Sequence, residues 1–533
     1  SSFDEIKSPR FKVLIAAVKQ LESMIGCYFL DIEFAINNNL QTFLLQVRYI
    51  TTQPNWNRGI VRSIDFELSG VSRFVSNRLK RMDGVYGESS VLGQMPDWNP
   101  AEMIGRAPRS LSLSLYRKLI TDNTWRIARA RMGYCVPKGH PLMVSLAGQP
   151  FIDTRLSFHS YLPQGLPTSI CVKLVDEWVD RLKKNPHLHD KVEFDVAITT
   201  FTFDLDEQIT TLGSSLNEDE REVFKKKLIE LSYPLIFGNG QGSIKEAIKE
   251  IEYLSKIELP RFQAGPLGLK TIIDDCVNYG TIPFSILARH GFIAKSLLLS
   301  LVSLDIISNE DMNNFLADVK TIAGDMLDDL NSVKIGKKSN SDFMKKFGHL
   351  RPGTYDILSL RYDQTDSFSS LETKSDSSGE IKSKFEFSPD QRRKIESLLI
   401  ENNFTEVSFD KLINYIKEAI SGREYGKFVF TKSVSAMLEI IADFGESNNL
   451  SRDEMSHIPV DEILGIGIES TGEAIEEKLR TISFENKSRH IVTSAIRLPQ
   501  VLSDISHVYI IPFQVSQPNF ITTKKINCPS IYL

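Results

Sequence analysis

The chain has 533 residues, 63 Lys and Arg against 68 Asp and Glu, a formal charge of −5 and 41% hydrophobic residues. This composition excludes a disordered chain, a collagen-like fibre and a small disulfide scaffold. The near balance of charge argues against non-specific nucleic-acid binding, which depends on Lys and Arg neutralising phosphates.

At about 150 residues per domain, the length suggests three or four domains. The cysteines are Cys27, Cys135, Cys171, Cys276 and Cys528, odd in number and widely spaced, with no C-x-x-C pair. They read as reduced thiols of a cytoplasmic protein, used as small buried hydrophobes, and carry no zinc signature. No run of about 18 uninterrupted apolar residues is present, so no membrane span is expected. The nearest candidate, 284–307, is interrupted by Arg289, His290 and Lys295. No signal peptide is read at the start, and Ser1 as first residue suggests a piece of a longer protein.

In chain order, residues 11–24 carry Val13, Leu14, Ala17, Leu21 and Met24 at helical spacing. A strand over 28–36, an Asn37-Asn38-Asn39 turn and a strand over 42–50 predict a hairpin. Residues 53–95, punctuated by Pro54, Gly70, Gly84 and Gly87, read as a connector. Residues 96–365 form the largest block. A helical region through 111–132 is followed by β-rich stretches at 142–146, 151–158 and 191–205, and then by helices. Asn217 with Glu220 predicts a capping box. The Ser-, Asp- and Lys-rich segment 366–388 reads either as a linker or as a long surface loop within one domain. Ser388-Pro389-Asp390-Gln391, Ser408, and Ser451 with Glu454 predict helix starts over 389–505. The last 33 residues turn toward strand character, around 508–513 and Ile526. The fold class expected is α+β, mainly helical with a small β-rich part.

Three groups of residues suggest chemistry. On the hairpin, Asp31 and Glu33 alternate on one strand, and Gln46 and Arg48 on its partner. A carboxylate beside an amide and a guanidinium suits a nucleotide site with Mg²⁺. A surface cross-strand salt bridge gives the same pattern. Asp153, Arg155, Ser157 and His159 alternate in a strand-like run and would share one face. That row suits a zwitterion or a phosphate; a solvated strand face is the alternative. The Gly- and Pro-rich segment 348–356 reads as a shaped loop, in which His349 and Arg351 either meet an anion or hold the loop itself. Arg289, inside an apolar helical stretch, either reaches a buried substrate or pairs with a core carboxylate. The Gly238–Ser243 loop and the His187/His189 pair read more simply as a plain loop and a surface turn.

The run Asp31-Ile32-Glu33-Phe34 followed by Gln46-Val47-Arg48 resembles the end of the ATP-grasp domain of the pyruvate phosphate dikinase and phosphoenolpyruvate synthase family, with Tyr49 where that family usually has Pro. The resemblance implies that Glu33 is a metal ligand and that Gln46 and Arg48 contact nucleotide phosphates. The segments 95–105, 115–122, 153–158 and 348–356 resemble a branch of the same family found with surface-polysaccharide genes, the L-glutamine kinases of capsular phosphoramidate synthesis. This second likeness runs through most of 90–500.

It implies ATP and Mg²⁺ as cofactors. It also implies a phosphoryl group passed from ATP to a histidine and then to a small acceptor, L-glutamine at its amide nitrogen. Arg155, Ser157, His159, His349 and Arg351 would bind the acceptor. No histidine here has the Gly-Gly and Thr or Ser setting of the family's phosphohistidine; His457 and His507 both lack it. The nucleophile is therefore expected beyond Leu533, on a swivelling domain whose start is read at 506–533. Residues 1–52 would be the end of the ATP-grasp domain, and the missing parts of both domains would be the chain's partners.

The alternatives are a non-catalytic binding or scaffold module, or the same enzyme type with pyruvate or a polysaccharide precursor as acceptor. Neither nucleic acid nor membrane is expected as a partner.

Overall fold

The computed structural model describes residues 9–25, 30–37, 41–49, 61–259, 265–365, 385–404, 406–469 and 472–509. The chain divides into two units, residues 1–64 and 65–533. In the first, an amphipathic helix over Pro9–Ile25 lies against a hairpin of β1 (Leu30–Ile36) and β2 (Thr42–Tyr49). Leu14, Val18 and Leu21 from the helix meet Ile32 and Phe34 from β1 along an apolar groove. The antiparallel register sets Asp31 opposite Arg48 and Glu33 opposite Gln46, with a bulge after Glu33. The hairpin expected from the sequence is therefore formed.

The second unit is mainly helical with one small antiparallel sheet. Its strands are β3 (Leu92–Gly93), β4 (Met143–Leu146), β5 (Gln149–Asp153) and β6 (Val501–Leu502), in the order β4-β5-β3-β6. The β6–β3 pairing ties the end of the described chain to its first third. The Gln149 side-chain amide adds a bond to the Ile496 carbonyl at 2.7 Å. Residues on both sides of the 366–388 segment contribute to one continuous hydrophobic core; the segment itself lies largely outside the described residues.

That core is built on the helix Ile282–Ser303 and the 39-residue helix Phe409–Ser447, about 58 Å long at 1.5 Å per residue. Their close approach uses Gly422 and Gly426, one turn apart. A Cβ at Gly426 would lie 3.0 Å from the Leu287 side chain, and one at Gly422 3.3 Å from the same residue. A helical stretch over 265–303 is long and apolar enough to cross a membrane, but 78% of its most apolar window is buried in this core. Its hydrophobicity is accounted for by packing.

The capping signals are realised. Asn217 with Glu220, Ser388 with Gln391 and Ser451 with Glu454 each form a reciprocal box, and Ser408 caps the long helix. Each satisfies backbone N–H groups that a helix start leaves unpaired.

Four expectations are corrected. Residues 61–78, read as connector, form a helix, because Leu68, Val71 and Val75 recur at helical spacing despite Gly70. Residues 154–159 are helix, not strand. Residues 192–196 form one π-helical turn, with Val192 and Val196 buried four apart. Residues 505–509 form a 3₁₀ turn in place of a strand, and the chain beyond lies outside the described residues.

Candidate functional site

The side chains of Glu33, Gln46 and Arg48 lie outside the described residues. Their hairpin register is that described above: Glu33 and Gln46 are direct cross-strand partners.

The Asp153–His159 run turns from β5 into the helix Thr154–His159, so its polar side chains form no single row: Asp153 and Arg155 approach to 3.9 Å, while Ser157 and His159 have other partners. Its apolar–polar alternation imitates a strand because the segment is buried on all sides. Asp153 accepts from Arg78 Nε at 2.6 Å and from the Ser90 hydroxyl. Arg155 donates to the carbonyls of Lys80 at 2.8 Å and Arg78 at 3.0 Å, satisfying the C-terminal end of the 61–78 helix. His159 accepts at Nδ1 from the Tyr86 backbone N–H at 3.1 Å and stacks on the Tyr86 ring. Ser157 donates to Asp97 at 2.9 Å.

His349 and Arg351 occupy a loop, as expected. Arg351 bonds the Ser359 carbonyl at 2.9 Å, the Ser435 hydroxyl at 3.1 Å and the Glu439 carboxylate at 2.9 Å. It joins the loop to the long helix. His349 packs edge-on against Phe428. Arg155 and Arg351 share no partner, and the structure does not gather the five expected acceptor-binding residues into one site.

A different group does converge. The turn before the helix Pro100–Ile104 puts Asp97 (φ 56°) and Asn99 (φ 45°) in the left-handed region, which Asp and Asn tolerate best. This aims the Asp97 carboxylate inward, where Arg129 pairs with it at 2.5 Å. Arg129 also donates to Ser160, and its guanidinium lies 4.9 Å from the Tyr161 ring centre. Arg289 lies 4.7 Å from the same ring centre. Arg289 is 4% exposed, its Nη1 has no hydrogen-bond partner, and no acid lies within ion-pair distance among the described residues. Of the two roles open to it in the sequence, pairing with a core carboxylate is not the one adopted.

Glu193, on the π turn, is 5% exposed and its Oε1 is also without a partner. Burial, then the Asp97 carboxylate, push its carboxyl well above the usual carboxylate range, against the opposing pull of Arg289. A π turn is a recurrent way of aiming one side chain out of a regular ladder.

One face of the Ile282–Ser303 helix, Ser285, Arg289, Phe292, Ser296, Leu299 and Ser303, is spaced four, three, four, three and four residues apart. Its first half lines a cavity of about 30 Å³ with Asp97, Trp98 and Arg129, enough for roughly one water. Its second half lines a cavity of about 260 Å³ with Glu193, Thr199, Thr200, Thr202 and Gln208. Phe292 borders the first, Phe194 borders the second, and the two rings pack edge to face at 5.5 Å.

Sequence reasoning reached Asp97 only as part of a motif and read Glu193 as part of a strand. The one local signal for this site was a charged residue, Arg289, inside an otherwise apolar helix.

Buried imidazoles recur through the unit. His290 donates from Nε2 to the Gly242 carbonyl at 2.8 Å and accepts at Nδ1 from Tyr415 at 3.0 Å in its neutral form. Gly242 has φ 79°, and a Cβ there would lie 2.7 Å from the Arg131 carbonyl oxygen, so only glycine serves this contact. Burial lowers His159, His290, His349 and His457 to about 4, from an ordinary 6.5. An unfolded chain binds these protons more readily than the folded one between those values. Their contribution is therefore complete above about 6.5 and is lost as pH falls toward 4. Urea midpoints are expected to drop steadily from pH 7 to pH 4.5; a flat profile would contradict the neutral, buried state.

No protein-family model matches the chain, and neither does any curated protein sequence.

Proposed function

We propose that the chain is the acceptor-binding core of a dikinase-type, ATP-dependent phosphotransferase, with the amide nitrogen of L-glutamine as the acceptor in capsular phosphoramidate synthesis in the cytoplasm. The whole enzyme would move phosphate from ATP to a histidine beyond Leu533 and then to the acceptor, splitting one difficult transfer into two easier ones. On the hairpin, Glu33 would hold Mg²⁺, and Gln46 and Arg48 the nucleotide phosphates. The register that pairs Glu33 with Gln46 and Asp31 with Arg48 supports this assignment.

The observation that carries the acceptor half of the reading is the buried Glu193 carboxyl with its unpartnered Oε1. It borders a hydroxyl-lined cavity of about 260 Å³, a volume suited to one small polar molecule. Calorimetric titration of the chain with L-glutamine, pyruvate and small sugar acids tests it. Saturable heat with L-glutamine is the expected result.

A non-catalytic binding or scaffold module is favoured by one observation: Arg155 and Arg351 spend their Nη donors on main-chain carbonyls, Ser435 and Glu439. Silence with every compound in the panel would establish that reading over the first.

A further inference from the structure

We propose that the cavity of about 30 Å³ beside Arg289 binds a single halide ion, chloride or bromide, through Arg289 and the indole N–H groups of Trp98 and Trp125. It shares no lining residue with the hydroxyl-lined cavity assigned to the acceptor, and the inference does not depend on that assignment.

Three segments bring these side chains to one cavity. Trp98 comes from the turn before the helix Pro100–Ile104, Trp125 from the helix Thr124–Arg131 and Arg289 from the helix Ile282–Ser303. Each carries a buried nitrogen without a hydrogen-bond partner among the described residues: Trp98 Nε1, Trp125 Nε1 and Arg289 Nη1. Indole and guanidinium nitrogens only donate, so the group that completes all three is an acceptor. The acceptors on the same wall are already engaged. The Asp97 carboxylate takes Arg129 and Ser157, and the Ser285 hydroxyl is turned to the Thr281 carbonyl at 2.6 Å.

Charge points the same way. Arg129 and Asp97 cancel as an ion pair, which leaves the Arg289 charge over in a place that little water reaches. The rings of Tyr134, Tyr161 and Phe292 lie around Arg289 at 6.0, 4.7 and 5.4 Å and soften this cost without removing it. A monovalent anion removes it. The volume decides which kind, since it admits about one water-sized sphere. A phosphate or a metabolite carboxylate is too large, whereas a one-atom ion fits. A water molecule fits as well, but it offers two lone pairs to three donors and leaves the guanidinium charge in place. Glu193 opposes the anion, because its carboxyl feels Arg289 without forming an ion pair with it.

The test exchanges sodium gluconate, too bulky for the cavity, for sodium bromide or chloride at constant ionic strength. Bromide quenches indole fluorescence, so wild type should lose part of its tryptophan emission along a saturating curve, and chloride should reverse the loss by competition. The thermal midpoint of wild type should climb with the logarithm of halide concentration. Trp98→Phe keeps the ring and removes one donor, so it should bind on the order of tenfold more weakly. Arg289→Met should show neither response, and in gluconate it should be at least as stable as wild type, because it removes a buried unpaired charge. Glu193→Gln should bind halide more tightly than wild type. Thermal unfolding establishes that each variant is folded.

Quenching that rises linearly with bromide, together with equal thermal midpoints in halide and gluconate, would overturn the inference and leave water as the occupant. Saturable quenching undiminished in folded Arg289→Met and Trp98→Phe would overturn it too, by placing the halide elsewhere. Both results leave the acceptor proposal to its own titration.

Discussion

Replacing Glu439 with alanine is expected to lower the unfolding free energy of the large unit by about 3–5 kcal/mol, the range for stranding a buried charge. Glu439 sits inside the long Phe409–Ser447 helix, almost fully buried, and is the hub of a four-residue network. Arg351 reaches it from the 348–356 loop at 2.9 Å, Arg452 from the next helix at 2.8 Å, and Gln364 at 2.8 Å. Alanine leaves Arg351 buried without its carboxylate and tied to the helix only through Ser435. Glu439→Gln keeps one acceptor and should cost less.

Burial alone would raise the Glu439 carboxyl. The donors from Arg452, Arg351 and Gln364 outweigh burial and bring it down to about 2, from 4.5. The folded state thus releases this proton at lower pH than the unfolded chain. The stabilisation is complete above about 4.5 and is lost as pH falls through about 2. Urea unfolding at pH 7 and pH 3 checks both statements: the gap between wild type and Glu439→Ala should narrow at the lower pH. A gap under 1 kcal/mol at pH 7 would show that the network contributes little.

Asp97→Ala is expected to be comparably severe, and for two separable reasons. It strands Arg129, whose side chain is 7% exposed against 4% for Asp97 itself, at a cost of about 3–5 kcal/mol. It also puts a residue without a local polar side chain at φ 56°, at a further cost of about 1–2 kcal/mol. Asp97→Asn separates the two terms, since asparagine tolerates the left-handed region and keeps the shape but lacks the charge. Asp97→Asn should therefore be more stable than Asp97→Ala by about the backbone term, with both well below wild type in urea unfolding. Equal midpoints for the two variants would show that the turn carries no strain.

These two residues illustrate what a linear reading reaches. Helix starts were legible because a cap is a bargain among neighbours three residues apart: Asn217 and Glu220, Ser388 and Gln391, Ser451 and Glu454 carry the whole interaction within one turn. The hairpin was legible because alternating apolar strands and a run of asparagines are local as well. The Thr154–His159 helix was not, because a segment buried on every side has no polar face to mark its period. The π turn at Val192–Val196 failed for a related reason, as its Val-x-Phe-x-Val spacing also fits a strand.

The site itself is less local still. Asp97, Arg129, Glu193 and Arg289 come from four segments spread over nearly two hundred residues, and none of the pairings among them has a sequence signature. Composition, charge, capping and periodicity determined by themselves that this would be a mainly helical α+β protein with a hairpin near its start and a charged residue in its most apolar helix. Only the tertiary structure decided that the Nη donors of Arg155 and Arg351 are taken up from within and that Arg289 Nη1 and Glu193 Oε1 are left without partners. Whether a buried charge finds a partner depends on which distant segments the core packs beside it, and that is a property of the fold.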